Sequence, residues 1–90
     1  MEERLYQLVE IVRESPGLSG YDVAQKFGLA TELTLRLLRA LAKFDVLKKP
    51  SGNEKFWIGW QCGLNAPSSK ESMANWYKEN NEAFNKLLKH

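Results

Sequence analysis

Basic side chains are concentrated in one part of this 90-residue sequence, between residues 36 and 55. Guanidinium and ammonium groups bind phosphate oxygens, and a row of them releases counterions from a phosphate backbone. The row consists of Arg36, Arg39, Lys43, Lys48, Lys49 and Lys55. The other interpretation is that lysines near a hairpin tip keep it soluble and discourage pairing with another strand. We favour phosphate binding, because all six charges flank one predicted hairpin.

Residues suited to catalysis are sparse. The single histidine is the last residue, His90, and the single cysteine, Cys62, has no histidine near it in the sequence. This pattern indicates neither a zinc site nor a thiol nucleophile. Gly17, Gly20 and Gly28 are spaced as helix boundaries, not as a phosphate-binding loop. We therefore expect no enzymatic activity, no metal, no cofactor and no small-molecule ligand.

Length, charge and cysteine content limit the possible partners and compartments. Ninety residues are enough for one domain. A net charge of +2 is compatible with nucleic acid but does not require it. One cysteine excludes an internal disulfide and suits a reducing compartment, and no apolar run approaches the roughly 20 residues that span a bilayer. We expect a cytoplasmic protein that does not bind membranes.

Three helices are predicted in the first half of the chain. Apolar residues recur at helical spacing over residues 2–14. A second helix follows Ser19, a preferred N-cap residue, and ends at Gly28, which adopts the left-handed conformation cheaply. A third helix covers about 31–44, with Thr31 as its expected N-cap. Its outward face is expected to carry Glu32, Leu35, Arg36, Arg39 and Lys43.

A two-stranded hairpin is predicted after the third helix. Residues 46–47 form the first strand, and 48–55 form a polar loop rich in turn-forming residues. The return strand is predicted over 56–60, because aromatic and β-branched residues favour strands. Strand alternation places Phe56, Ile58 and Trp60 on one face and Trp57 on the other. We expect these aromatic side chains to be largely buried, with Trp57 as the one that could stack on a sugar, a base or a partner.

The C-terminal part is predicted to be a linker over 61–69 and a helix over 70–90, opened by the capping box Ser68-Ser69-Lys70-Glu71. Alternating spacings of three and four suggest a short coiled-coil seam, which favours a homodimer. The residues assigned to this seam are Met73, Tyr77, Asn80, Phe84 and Leu87. The other possibility is that the helix folds back on the first helix and completes the core of a monomer.

The order of these elements resembles the N-terminal winged-helix domain of IclR-type transcription regulators and, more loosely, MarR- and ArsR-like domains. The resemblance rests on residues 17–19 and 23–29 around the second helix, 35–41 in the third, and 47–49 and 56–59 in the hairpin. It implies an α+β, mostly helical fold. The winged helix-turn-helix domain would cover 1–60, with an additional C-terminal helix.

The resemblance also implies a small DNA-binding transcription regulator, with double-stranded DNA as its partner. The third helix would enter the major groove, and the hairpin, or wing, would lie on the backbone over about 48–55. The residues implied to read bases are Thr31, Glu32, Leu35 and Arg36. Arg39 and Lys43 would lie near phosphates, with Lys48, Lys49 and Lys55 flanking the wing.

A protein-interaction module is the alternative, because an exposed leucine beside a glutamate is typical of contact with another protein. Its docking surface would be formed by Leu33, Leu35, Trp57 and the C-terminal helix. The two functions require different surfaces. DNA binding needs a continuous positive face, whereas docking needs an exposed apolar patch of several hundred Å².

Overall fold

The computed structural model describes residues 1–89, so His90, the last residue of the predicted C-terminal helix, lies outside the described residues. The order of elements is α1 (Glu2–Glu14), α2 (Gly20–Phe27), α3 (Thr31–Ala42), β1 (Leu47–Lys48), β2 (Gln61–Cys62) and α4 (Lys70–Leu88). The chain is 58% helical, with one two-stranded antiparallel sheet. The prediction of an α+β, mostly helical fold is confirmed.

Local hydrogen bonds explain where α2 and α3 begin. At α2 the Asp22 N–H donates to the Ser19 hydroxyl (3.1 Å), and Gly28 ends the helix at φ 83°. At α3 the N-cap is Ala30, which has no capping side chain, so the prediction of Thr31 as the cap is wrong. The Thr34 hydroxyl instead donates to the Ala30 carbonyl (3.0 Å), which satisfies a buried polar group.

The hydrophobic core lies where the four helices meet. All four contribute fully buried side chains, including Leu8 from α1, Val23 from α2, Leu38 from α3 and Phe84 from α4. The hairpin adds Trp60 to the same cluster. Because every element contributes to one core, α3 and the hairpin are held in a defined relative position.

Both strands of the hairpin begin later in the chain than predicted, the first by one residue and the return strand by five. Leu47 pairs with Cys62 and Lys48 with Gln61, and the bridge between Ser51 and Ile58 continues the same register. Gln61 and Cys62, expected in the linker, therefore belong to the sheet, and the predicted return strand over 56–60 is wrong at both ends.

A tight turn at the hairpin tip explains this shift. Gly52 has a φ of 104°, and the Asn53 side-chain carbonyl accepts from the N–H groups of Lys55 (3.0 Å) and Phe56 (3.1 Å). The turn therefore includes Phe56, although the amino-acid type of this residue favours a strand.

The return strand is also attached to the segment before α2. The Gly17 N–H donates to the Trp60 carbonyl (2.8 Å), and the Trp60 N–H donates to the Leu18 carbonyl (2.8 Å). A Cβ atom on Gly59 would lie 2.2 Å from the Gly17 carbonyl oxygen, so the two backbones approach closely there. The return strand is thus held on one side by β1 and on the other by the segment between α1 and α2.

Helix α4 folds back on the rest of the chain. Its N-terminus is capped by Ser69, whose hydroxyl accepts from the Ser72 N–H (3.1 Å). Met73 and Phe84 are fully buried, and the Phe84 ring packs against Trp76 (5.8 Å between centroids). The Phe44 ring, just after α3, packs edge-on against Trp76 (5.3 Å). The helix therefore completes the core of this chain, which is the second of the two arrangements expected from the sequence.

The residues assigned to a dimer seam accordingly have different environments. Met73 and Phe84 are in the core and cannot face a partner, while Tyr77 packs against Phe84 (6.3 Å). The Asn80 side-chain amide donates to the Trp76 carbonyl of its own helix (2.8 Å). Only Leu87, 38% exposed, presents a large apolar surface to solvent.

Within residues 1–89, no helix has both the length and the apolar character that crossing a membrane requires.

Candidate nucleic-acid interface

The exposed face of α3 carries a row of three basic side chains and Glu32, next to the exposed Leu33. Its opposite face is buried through Thr34, Leu37, Leu38 and Leu41. Residues spaced by three and four positions lie on one side of a helix, so the remaining side forms a single row. That row consists of the exposed residues Glu32, Arg36, Arg39 and Lys43.

Two neighbouring grooves connect this row to the base of the hairpin. The first, of ≈ 240 Å³, is lined by Arg36, Arg39 and Lys43 together with Ala40 and Leu87. The second, of ≈ 350 Å³, is bordered by Lys43 again and by Lys48 and Lys49. Because Lys43 borders both grooves, the positive charges form a continuous surface. We call this surface the basic strip, and it consists of Arg36, Arg39, Lys43, Lys48 and Lys49.

Acidic side chains leave the basic strip largely unneutralised. In the described part of the chain, the one ion pair joins Arg13 to Glu10 (3.5 Å), both on α1. Glu32 lies at one end of the row on α3, and Asp45 borders the second groove, but neither forms a salt bridge with the strip. The guanidinium and ammonium groups of the strip are therefore available to an anionic partner.

The structure places four of the predicted DNA-contacting residues outside the basic strip, and one of them is Glu32, described above. Lys55 is exposed in the hairpin tip, beyond both grooves, and Thr31 is half-buried. Leu35 was predicted to face outward, and this is wrong. It is half-buried and packs on α2, where a Cβ atom on Gly20 would lie 2.4 Å from its Cδ2.

The apolar residues of the predicted docking surface do not form one patch. Leu33 is exposed, but it is two positions from Leu35 and so points to another side of α3. Trp57 is 50% exposed on the hairpin tip. Three separate locations do not provide the contiguous area that a docking site on α3 requires.

Sequence reasoning missed one surface, the tip of the hairpin. Phe56 is 74% exposed and Ile58 is 48% exposed, although both were expected in the core. Of the aromatic residues in this region, only Trp60 is buried. The Gly52-Asn53 pair is the sequence signal that could have revealed this surface. These two residues favour a tight turn, and the residues that follow it then lie in the turn and not in a buried strand.

Comparison with protein-family models, with curated proteins and with solved structures finds no match. The functional argument therefore rests on the geometry of this chain.

Cys62 has the environment of a structural cysteine. Burial raises the pKa of its thiol, an effect that the nearby Arg13 charge partly opposes. Its Sγ lies 3.9 Å from the Val9 carbonyl oxygen. A raised pKa reduces the thiolate fraction at neutral pH, so this cysteine is poorly suited to act as a nucleophile. Among residues 1–89, no group of three or more His, Cys, Asp or Glu side chains is arranged to hold a metal ion.

Proposed function

We propose that this chain is a winged-helix module that binds double-stranded DNA as a small transcription regulator. The observation that supports this function best is the basic strip, which runs without interruption from the exposed face of α3 to the base of the hairpin. A strip that joins a helix to the adjoining hairpin matches the two elements that a winged helix places on DNA.

The dimensions of α3 suit the major groove. An α-helix with its side chains is about 10–12 Å across, and the major groove of B-form DNA is about 12 Å wide. In this arrangement Arg36 is positioned to donate two hydrogen bonds to a guanine, and Glu32 to accept one from a cytosine. Arg39 and Lys43, further along the same face, would contact phosphates.

The hairpin would serve as the wing. Lys48 and Lys49 border the groove beside the end of α3, so they would contact phosphates next to the helix. Lys55, nearer the tip, would contact the backbone further along the duplex.

A protein-docking function is the second candidate, and the exposed tip residues favour it. Phe56, Trp57 and Ile58 are consecutive and exposed. We rank this candidate below DNA binding, because the basic strip adjoins the hairpin that carries these residues.

We also propose that the regulator is cytoplasmic and acts as a homodimer on two DNA half-sites. Met73 and Phe84 are buried in the core of a single chain, so they are not available to a second copy. Leu87 lines the first groove of the basic strip, so pairing of two copies would use other exposed residues of α4.

The test is fluorescence anisotropy of a labelled mixed-sequence duplex at several salt concentrations. Five phosphate contacts, from Arg39, Lys43, Lys48, Lys49 and Lys55, predict a slope of log affinity against log salt of about −4.5. Affinity should then fall about 500-fold between 50 and 200 mM salt. The variant Lys48→Ala/Lys49→Ala should reduce the slope to about −2.7.

A matched control is Lys70→Ala/Lys78→Ala, which removes the same charge from α4. Lys70 lies near Glu2, Glu3 and Glu71, away from the basic strip. This control should keep the slope of the wild type. Absence of binding by folded protein at low salt would refute DNA binding, and equal losses in the two variants would show that only net charge matters.

A further inference from the structure

Three consecutive large apolar side chains lie exposed at the hairpin tip: Phe56, Trp57 and Ile58. Phenylalanine and isoleucine are among the residues most often buried in folded domains. In this chain the return strand reaches the core only at Trp60, so the residues before it remain outside. An exposed apolar cluster on a small domain indicates contact with another molecule.

The tip is held in a defined shape. The Ser51 N–H donates to the Ile58 carbonyl (2.9 Å), and the Ile58 N–H donates back to the Ser51 carbonyl (2.8 Å). Inside this pair of bonds, the Asn53 side chain accepts from two backbone N–H groups. A Cβ atom on Gly52 would lie 2.0 Å from the Phe56 carbonyl oxygen, so the turn is tight. The aromatic side chains are therefore presented outward by an ordered turn, which lowers the entropy cost of binding.

The charges on the hairpin indicate what kind of molecule meets the tip. Lys48 and Lys49 precede it and Lys55 adjoins Phe56, whereas Glu54 is the one acid between residues 48 and 60. Aromatic side chains flanked by cations suit a partner that carries phosphates beside flat apolar rings. Nucleic-acid bases provide such rings, and stacking tolerates any base sequence.

The length of the hairpin places the tip at the right distance from the basic strip. Five residues separate Lys48 from Asn53, which corresponds to about 16 Å at about 3.3 Å per strand residue. A duplex that has α3 in its major groove presents the adjacent minor groove within this reach. The minor groove is only about 6 Å wide, so entry of an aromatic side chain requires the bases to separate.

We propose that the hairpin tip inserts Phe56 and Trp57 between neighbouring bases in the minor groove and bends the duplex. This inference rests on the proposed function of the basic strip and adds DNA deformation to it. Insertion unstacks one base step, and proteins that insert apolar side chains in this way bend DNA by about 20–90°. Steps that unstack easily, such as TA and CA/TG, should therefore be preferred at that position.

The first test compares Phe56→Ala/Trp57→Ala with the wild type in the anisotropy assay. Loss of two stacked aromatic side chains, each contributing about 1–3 kcal/mol, should weaken binding at least about 30-fold. The salt slope should stay that of the wild type, because no phosphate contact is removed. Tyr21→Ala is the matched control, since it removes an exposed aromatic from α2 and leaves the hairpin intact. The control should bind DNA with near wild-type affinity.

The second test measures the shape of the duplex by energy transfer between dyes at its two ends. Wild-type protein should shorten the end-to-end distance, and a 2-aminopurine placed at the contacted step should brighten as it unstacks. The double variant should leave the duplex straight and the base analogue dim. A Trp57→Phe variant keeps an aromatic ring and should retain bending. It shows that the double variant loses bending because the rings are absent and not because a substitution at the tip disrupts the fold.

The outcomes separate the two proposals. Salt-dependent binding by a double variant that matches the wild type in affinity and bending would overturn insertion and leave DNA binding intact. Absence of binding by the wild type would overturn both. Binding of wild type, but not of the double variant, to phosphatidylserine-containing vesicles with no bending of DNA would also overturn insertion, because the tip would then be a membrane contact. The same conclusion would follow if sedimentation showed that the tip residues mediate self-association.

Discussion

Truncation of Phe84 to alanine should severely destabilise this protein. The side chain is fully buried and contacts three other rings: Trp76 (5.8 Å), Tyr77 (6.3 Å) and Phe44 (6.4 Å). Phe44 follows α3, so this cluster of rings joins α4 to the end of α3. Phe84→Ala thus tests whether α4 is part of the domain that carries the basic strip.

The expected magnitude follows from burial and size. Replacing a buried phenylalanine by alanine costs about 3–5 kcal/mol, because apolar contacts are lost and a cavity remains. A 90-residue domain has a total unfolding free energy of about 5–14 kcal/mol. In a domain of this size each kcal/mol lowers the thermal midpoint by about 4–8 °C, so the variant should melt at least about 12 °C lower.

Thermal and urea unfolding, followed by circular dichroism, measure this change. Leu87→Ala is the matched control on the same helix, because Leu87 is exposed and its truncation should cost less than about 0.5 kcal/mol. The shift of the midpoint caused by Phe84→Ala should be the same at every protein concentration, since the contacts of Phe84 lie within one chain.

The reasoning would be refuted if Leu87→Ala and Phe84→Ala destabilised the protein equally and both losses changed with protein concentration. That pattern would mean that α4 pairs with a second copy through both positions.

Two further predictions concern local contacts. Ser69→Ala removes the hydroxyl that caps α4, and urea unfolding should show a loss of about 1 kcal/mol, whereas the exposed Ser68→Ala should be nearly neutral. Cys62 should react slowly with iodoacetamide at pH 7, because burial raises its thiol pKa and the thiolate is the reactive form. Since the folded-state pKa is the higher one, the stability from this group is fully present below the unfolded thiol pKa, near 8.5, and is lost as pH rises from there through the folded-state pKa. Alkylation at pH 7 as fast as that of a free cysteine would contradict this prediction.

The helices could be predicted from sequence because their signals are local. The apolar spacing in α1, the Ser19 cap and Gly28 all act within one or two turns of the chain. The basic row on α3 could also be predicted, since helical spacing alone places Arg36, Arg39 and Lys43 on one side.

The hairpin register and the environment of Leu35 could not be predicted, because both depend on distant contacts. Trp60 is fixed by backbone hydrogen bonds to Gly17 and Leu18, about forty residues earlier in the chain. Leu35 is covered by Gly20, whose missing side chain leaves space for it. Composition favoured a strand over 56–58, but tertiary pairing places the strand later.

The same limit applies to α4. Apolar residues at helical spacing show that a helix buries one face, but not whether that face meets its own chain or a second copy. Only the packing of Trp76 and Phe84 against Phe44 distinguishes the two.

The most direct test of the account is nuclear magnetic resonance mapping of the interface. Isotope-labelled protein is titrated with a duplex, and the shifts of backbone amide signals are followed. The account predicts shifts at Arg36, Arg39, Lys48 and Lys49, with little change at Lys70. Shifts confined to α1 and α4, or no shifts at a DNA concentration that saturates the anisotropy signal, would contradict the assignment of the basic strip as the nucleic-acid interface.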